Sequence, residues 1–196
     1  MGCSQLIATP HIMQSVWNNT NAGIEARLLE TQELLVAHGL SVKIKAAAEY
    51  LMDSFFVQRF QSEPLLCVHE KMVLVEMSYI NPPLNLYDIL FELQLEGYVP
   101  ILAHPERYSF YHKNFGEYRK LKDAGCRLQV NLLSCVGYYG KEVAQVSDRL
   151  LAEGLIDYAG SDVHHMRHVN AFAKKLIIKS DKALSEALTR NAQFRF

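Results

Sequence analysis

The chain has 196 residues, with 20 Lys and Arg against 21 Asp and Glu, and 49% of it is hydrophobic. That is enough apolar material for one sizeable core and too little for two comfortable ones. A balanced charge without a Lys/Arg-rich run argues against nucleic acid and against an anionic membrane surface. No apolar run approaches the ~18 residues of a bilayer span, and the N-terminus lacks a basic-then-apolar leader pattern. Cys3, Cys67, Cys126 and Cys135 are scattered without a CxxC pair. They read as buried, reduced thiols of a cytoplasmic protein, not as a disulfide frame.

Short β-rich runs alternate with longer helical ones. QLIATPH predicts a strand entering a loop. GIEARLLETQELLVAHG predicts a helix with Ile24, Leu28, Leu35 and Val36 on one face and Gly39 as its stop. VKIKAAAEY is a second strand and MDSFFVQRF a short helix; KMVLVEMSY is a third strand and NLYDILFELQLEG a helix ending at glycine. VPILAHPERY, CRLQVNLLS and LIDYAGSDVHH are three more strands, separated by helices over roughly Phe115 to Ala124 and Lys141 to Glu153. One or two further helices close the chain. This order implies an α/β fold with a parallel sheet, open or closed into a barrel.

The residues with chemical potential recur at one place in this pattern. His11 follows LIATP, Glu49 follows IKAAA and Glu76 follows MVLV. His104 follows VPILA, Asn131 follows RLQV, and Asp162 with His164 comes after DYAGS. All stand near carboxyl ends of strands, where parallel α/β folds and barrels build their sites. Singly, each has an ordinary alternative. Glu49 and Glu76 could be structural ion pairs, Asp162 a helix N-cap, and His165 and His168 supporting or exposed groups.

Together they point to metal. Carboxylates that converge repel one another unless a cation lies among them. Mixed nitrogen and oxygen donors without thiolate suit manganese, iron or zinc better than calcium. Arg107, three residues after His104, adds a fork for phosphate. Divalent ions beside such a fork suit phosphomonoester hydrolysis.

The segments ATPH, AAAEYLMD, LVEMSY, AHPERY, QVNLLSCVGYYG and GSDVHH occur in that order. Together they resemble the polymerase-and-histidinol-phosphatase (PHP) family, and within it the manganese-dependent tyrosine-protein phosphatases of capsular and exopolysaccharide gene clusters of bacteria. The resemblance implies a distorted (β/α)7 barrel, here incomplete with about six parallel strands, and up to three divalent ions, manganese first, with iron or zinc as alternatives. It implies that Glu49 bridges the first and second metals, that Glu76 and His104 complete the second site, and that Asp162 belongs to the first. His11 and His164 belong to the third, and Arg107 holds the phosphate. Arg107, His104 and Asp162 are expected to carry the reaction, in which an activated water attacks phosphorus in line. Cys135 lacks the phosphate loop of the cysteine phosphatases and is expected to be a buried structural thiol.

The resemblance covers Ile7 to about His168. The family's opening strand with its His-x-His pair has no counterpart in this sequence, and Met1 and Gly2 resemble the end of the helix that follows it. Residues 1–196 therefore read as a single, N-terminally truncated PHP-type domain with incomplete first and third sites and weak activity as written. The implied partner is a phosphotyrosine protein, specifically the tail of a cognate tyrosine kinase, with self-association left open. Two rival readings remain at this point: a PHP phosphoesterase for a small molecule such as histidinol phosphate, and a remnant that only binds a partner.

Overall fold

The computed structural model describes residues 3–14 and 16–196. The reading of Met1 and Gly2 as a helix end lies outside them. Eight short strands are described: β1 (Gln5–Ala8), β2 (His11–Ile12), β3 (Lys43–Ala46), β4 (Glu49–Leu51), β5 (Met72–Glu76), β6 (Val99–Ala103), β7 (Arg127–Asn131) and β8 (Tyr158–Gly160). Between them run α1 (Asn21–Ala37), α2 (Ser54–Ser62), α3 (Leu86–Leu95), α4 (Gly116–Asp123), α5 (Leu132–Cys135) and α6 (Lys141–Ala152). The chain closes with α7 (Met166–Ala171) and α8 (Asp181–Arg190).

Strands β2, β4, β5, β6, β7 and β8 form one six-stranded sheet in that order, with every described pairing parallel. Strands β1 and β3 form a second parallel pair that leads directly into β2 and β4. Pro10, which has no N–H to give a ladder, lies at the break between β1 and β2. The ladder is carried across that break by the Ala47 N–H donating to the Ala8 carbonyl (2.8 Å) and the Glu49 N–H to the Pro10 carbonyl (3.1 Å). Among the described residues β2 and β8 do not pair with each other, so the sheet is open. The six parallel strands are those expected from the sequence, and among the described residues they form a sheet that does not close into a barrel.

The period of two along each strand sorts the core into two clusters. Val73 and Val75 of β5, Leu102 of β6 and Leu128 and Val130 of β7 join the large cluster under the helices. Their alternates Met72, Leu74, Ile101, Ala103 and Tyr158 form a smaller cluster on the other, inner face, joined by Ala47 and packed against by Ile7. Extending the alternation places His11, Glu49, Glu76, Asn131 and Asp162 in phase with this inner set. Glu76 and Asn131 are the last residues of β5 and β7, His11 and Glu49 open β2 and β4, and Asp162 lies two residues beyond β8. His104 is out of phase.

Local signals place the helices. Thr20 caps α1 by accepting from the Gly23 N–H (3.1 Å), and Asp53 caps α2 by accepting from the Phe56 N–H (2.9 Å). In α1 only Ile24 is buried, Leu28 and Leu35 are half-buried, and Val36 is exposed, contrary to its assignment to the buried face. The geometry explains it: 12 residues at about 100° each leave Val36 roughly a third of a turn from Ile24. Cys126 and Cys135 are buried as expected, whereas Cys67 is half-buried and Cys3 exposed.

Candidate metal centre

At the carboxyl end of the sheet, β2, β4 and β5 bring His11, Glu49 and Glu76 together. One ligand atom from each lies within 4.8 Å of the other two. His11 Nδ1 is 2.8 Å from Glu76 Oε1 and 3.9 Å from Glu49 Oε2. The 2.8 Å approach lacks the alignment of a hydrogen bond, and both atoms are buried without such a partner. Two buried carboxylates and an imidazole nitrogen converging within 4.8 Å fit a divalent cation as their common partner; without one, a proton on His11 supplies the positive charge between them. Glu76 holds the His11 imidazole protonated, raising its pKa to about 9 against the opposing effect of burial. A metal ion taking this nitrogen must displace that proton.

His104 approaches from the other side. Its Nε2 is 3.0 Å from Glu49 Oε1 and 3.9 Å from Glu76 Oε2. Burial alone lowers its pKa, but the hydrogen bond and charge of Glu49 outweigh this and raise it. The phase problem of His104 is solved by its backbone, which adopts the left-handed conformation at φ 38°. Asp162 does the same at φ 47°. Such conformations cost a non-glycine residue roughly 1–3 kcal/mol and recur at functional sites. Here they turn two side chains at the ends of β6 and β8.

Asp162 is not a helix N-cap: α7 begins after His165. Its Oδ2 instead accepts from Arg107 (3.1 Å) and from Asn131 Nδ2 (2.7 Å). His164 is exposed at the mouth, with its Nε2 3.4 Å from His11 Nε2 and its Nδ1 3.4 Å from Asp162 Oδ1. Across the open side of the sheet, this contact links the edge strands. His165 is exposed, whereas His168 is buried and its Nδ1 accepts from the His164 N–H (3.2 Å). Burial, followed by the neighbouring His165, lowers the His168 pKa. It therefore braces the histidine loop as a neutral ring.

Some contributors lie inside the quoted segments but were not singled out from them. Glu106 sits inside AHPERY, fully buried, and accepts from the Asn131 N–H (2.9 Å) and the Ser134 hydroxyl (2.6 Å). Burial raises its pKa, partly offset by Ser134. It thus anchors the residue that donates to Asp162. Its position between His104 and Arg107 was the available clue. Tyr79 and Tyr139, which lie against Arg107, offered only their places in LVEMSY and QVNLLSCVGYYG.

Cys135 cannot serve as a nucleophile as it stands. It is fully buried, and burial pushes its thiol up to about 12, leaving almost no thiolate near neutral pH. Cys135→Ser is expected to leave turnover per folded molecule unchanged, and iodoacetamide to leave it unaffected. Inactivation by either in a phosphate-release assay would restore a cysteine mechanism.

An open parallel sheet with carboxylates and imidazoles gathered at one end, beside an arginine fork, defines an α/β protein with a candidate metal centre. The chain belongs to the capsular polysaccharide synthesis family CpsB/CapC, whose profile matches residues 1–192. It is 26% identical over 197 residues to the tyrosine-protein phosphatase YwqE of Bacillus subtilis, covering 98% of this chain and 78% of that protein. It is 22% identical over 173 residues to the tyrosine-protein phosphatase CpsB of Streptococcus pneumoniae, covering 84% and 70% respectively. Its fold is similar to that in the crystal structures of YwqE and CpsB, described as unique metal-dependent tyrosine phosphatases. That match has a TM-score of 0.79 at 25% identity and covers 94% of this chain and 78% of the other.

Proposed function

We propose that this protein hydrolyses phosphotyrosine in proteins, with divalent metal held by His11, Glu49 and Glu76 and with His104, Asp162 and His164 completing the surrounding ligand set. The observation that carries the reading is the convergence of half-buried His11 and buried Glu49 and Glu76 with the Arg107 fork at one end of one sheet. Bound divalent metal supplies Lewis acidity, lowers the pKa of water and neutralises charge on phosphoryl oxygens. The protein's own groups do the rest. Glu49 and Glu76 hold the ion, Arg107 binds and orients the phosphate, and Asn131 and Asp162 fix Arg107 when substrate is away. His104 Nε2 bonds Glu49 in this structure and would turn to the metal as a ligand when one is bound. A phenolate leaving group, whose conjugate acid has a pKa of about 10, needs less proton donation than an alkoxide. The site's work is then mainly charge neutralisation, which suits aryl phosphates.

In this reading manganese is the working metal, and the natural substrate is the phosphotyrosine-rich tail of a cognate tyrosine kinase in the cytoplasm. Phosphate release from a phosphotyrosine peptide by the manganese-loaded protein should exceed that from histidinol phosphate in kcat/KM. EDTA should abolish it and added manganese restore it. Preference for histidinol phosphate would replace the substrate class. Full activity in EDTA would remove the metal from the mechanism.

A further inference from the structure

Arg107 is not held by Asp162 alone. Its guanidinium carbon lies 4.7 Å from the centroid of the Tyr79 ring and 4.1 Å from that of the Tyr139 ring, over both of them. Tyr79 comes from the loop after β5, and Tyr139 from the turn between α5 and α6. Tyr79 also stacks on His104, with centroids 5.6 Å apart and planes at 26°, and its hydroxyl is 3.4 Å from His104 Nε2. One ring therefore touches both the metal side and the phosphate side of the site. Stacking engages the faces of a guanidinium and leaves its N–H edge free. In this structure part of that edge is directed to Asp162 Oδ2. A long side chain that would otherwise sample many rotamers is thus confined before substrate arrives, which lowers the ordering cost of binding.

We infer that Tyr79 and Tyr139 are positioning residues that hold the Arg107 guanidinium over their rings, with its N–H edge turned toward Asp162 and the phosphate of an aryl phosphate. The inference rests on the phosphatase reading for its kinetic consequence, though not for its structural one. Two experiments separate them. First, Tyr79→Leu and Tyr139→Leu should each raise KM for p-nitrophenyl phosphate about five- to tenfold while changing kcat by less than about threefold, the scale of a cation–π contact partly shielded from water. Tyr79→Phe and Tyr139→Phe, which keep the ring, should restore KM to within about twofold of the parent. Metal content should match the parent in all four.

Second, the Arg107 Nε–H signal, assigned by its loss in Arg107→Lys, should show restricted motion in nitrogen-15 relaxation of the unaltered protein. It should approach the mobility of the exposed Arg27 in either leucine variant. An unaltered KM in both leucine variants of an active enzyme would overturn the inference. So would an Arg107 signal as mobile as that of Arg27 in the unaltered protein. If the protein hydrolyses no aryl phosphate, the phosphatase reading fails, and the relaxation measurement alone decides whether the rings confine Arg107.

Discussion

Glu49→Gln is expected to lower divalent-metal affinity by at least about a hundredfold and to remove metal-dependent turnover with it. Outer groups that merely support a ligand are worth 10–100-fold in affinity, so loss of a central carboxylate belongs at or beyond the upper end. Glu49 is the central one here: one oxygen is 3.0 Å from His104 and the other 3.9 Å from His11. The amide has the same shape, so packing survives, but it contributes no anionic oxygen. Both imidazoles then lose part of the charge that holds their pKa values up. Manganese titration by calorimetry, with elemental analysis of the purified variant, gives the readout. Glu25→Gln on the exposed side of α1 is the control. Equal affinity in the Glu49 variant and the parent would show that the ion binds elsewhere.

Arg107→Lys is expected to lower kcat/KM on phosphotyrosine peptide by about a hundred- to a thousandfold, the range seen when a principal electrostatic donor is removed. A lysine keeps the charge but lacks the planar fork that matches phosphate oxygens, and an ammonium stacks less well on the Tyr79 and Tyr139 rings. Metal affinity should change little, because the carboxylate Arg107 bonds is Asp162, outside the His11, Glu49 and Glu76 group, and lysine keeps the positive charge beside it. That contrast separates the two variants: one loses the ion, the other keeps it and loses the phosphate. Full activity in Arg107→Lys would reduce the residue to a salt bridge with Asp162.

Much of the site's address was legible from apolar alternation. Strand β5 reads MVLVE, and its terminal Glu76 is in phase with Met72 and Leu74. The same holds for Glu49 with Ala47. The face a side chain takes follows from a period of two that backbone sterics impose locally, so it needs no knowledge of the rest of the molecule. The break that makes Glu49 the first residue of β4 was not legible in VKIKAAAEY. His104 shows where this stops. Its phase points it away from the inner face, and only the left-handed backbone before Pro105 accounts for its contact with Glu49.

The sequence by itself determined the order of strands and helices, the parallel sheet, and the end of that sheet where carboxylates and imidazoles gather. The tertiary structure decided which of them meet. His104 pairs with Glu49 and Arg107 with Asp162, each 55 positions away in the chain, and Arg107 rests on tyrosines from two separate loops. Those contacts depend on sheet register and loop geometry, which are set by the packing of the whole domain, whereas strand periodicity is set within a few residues.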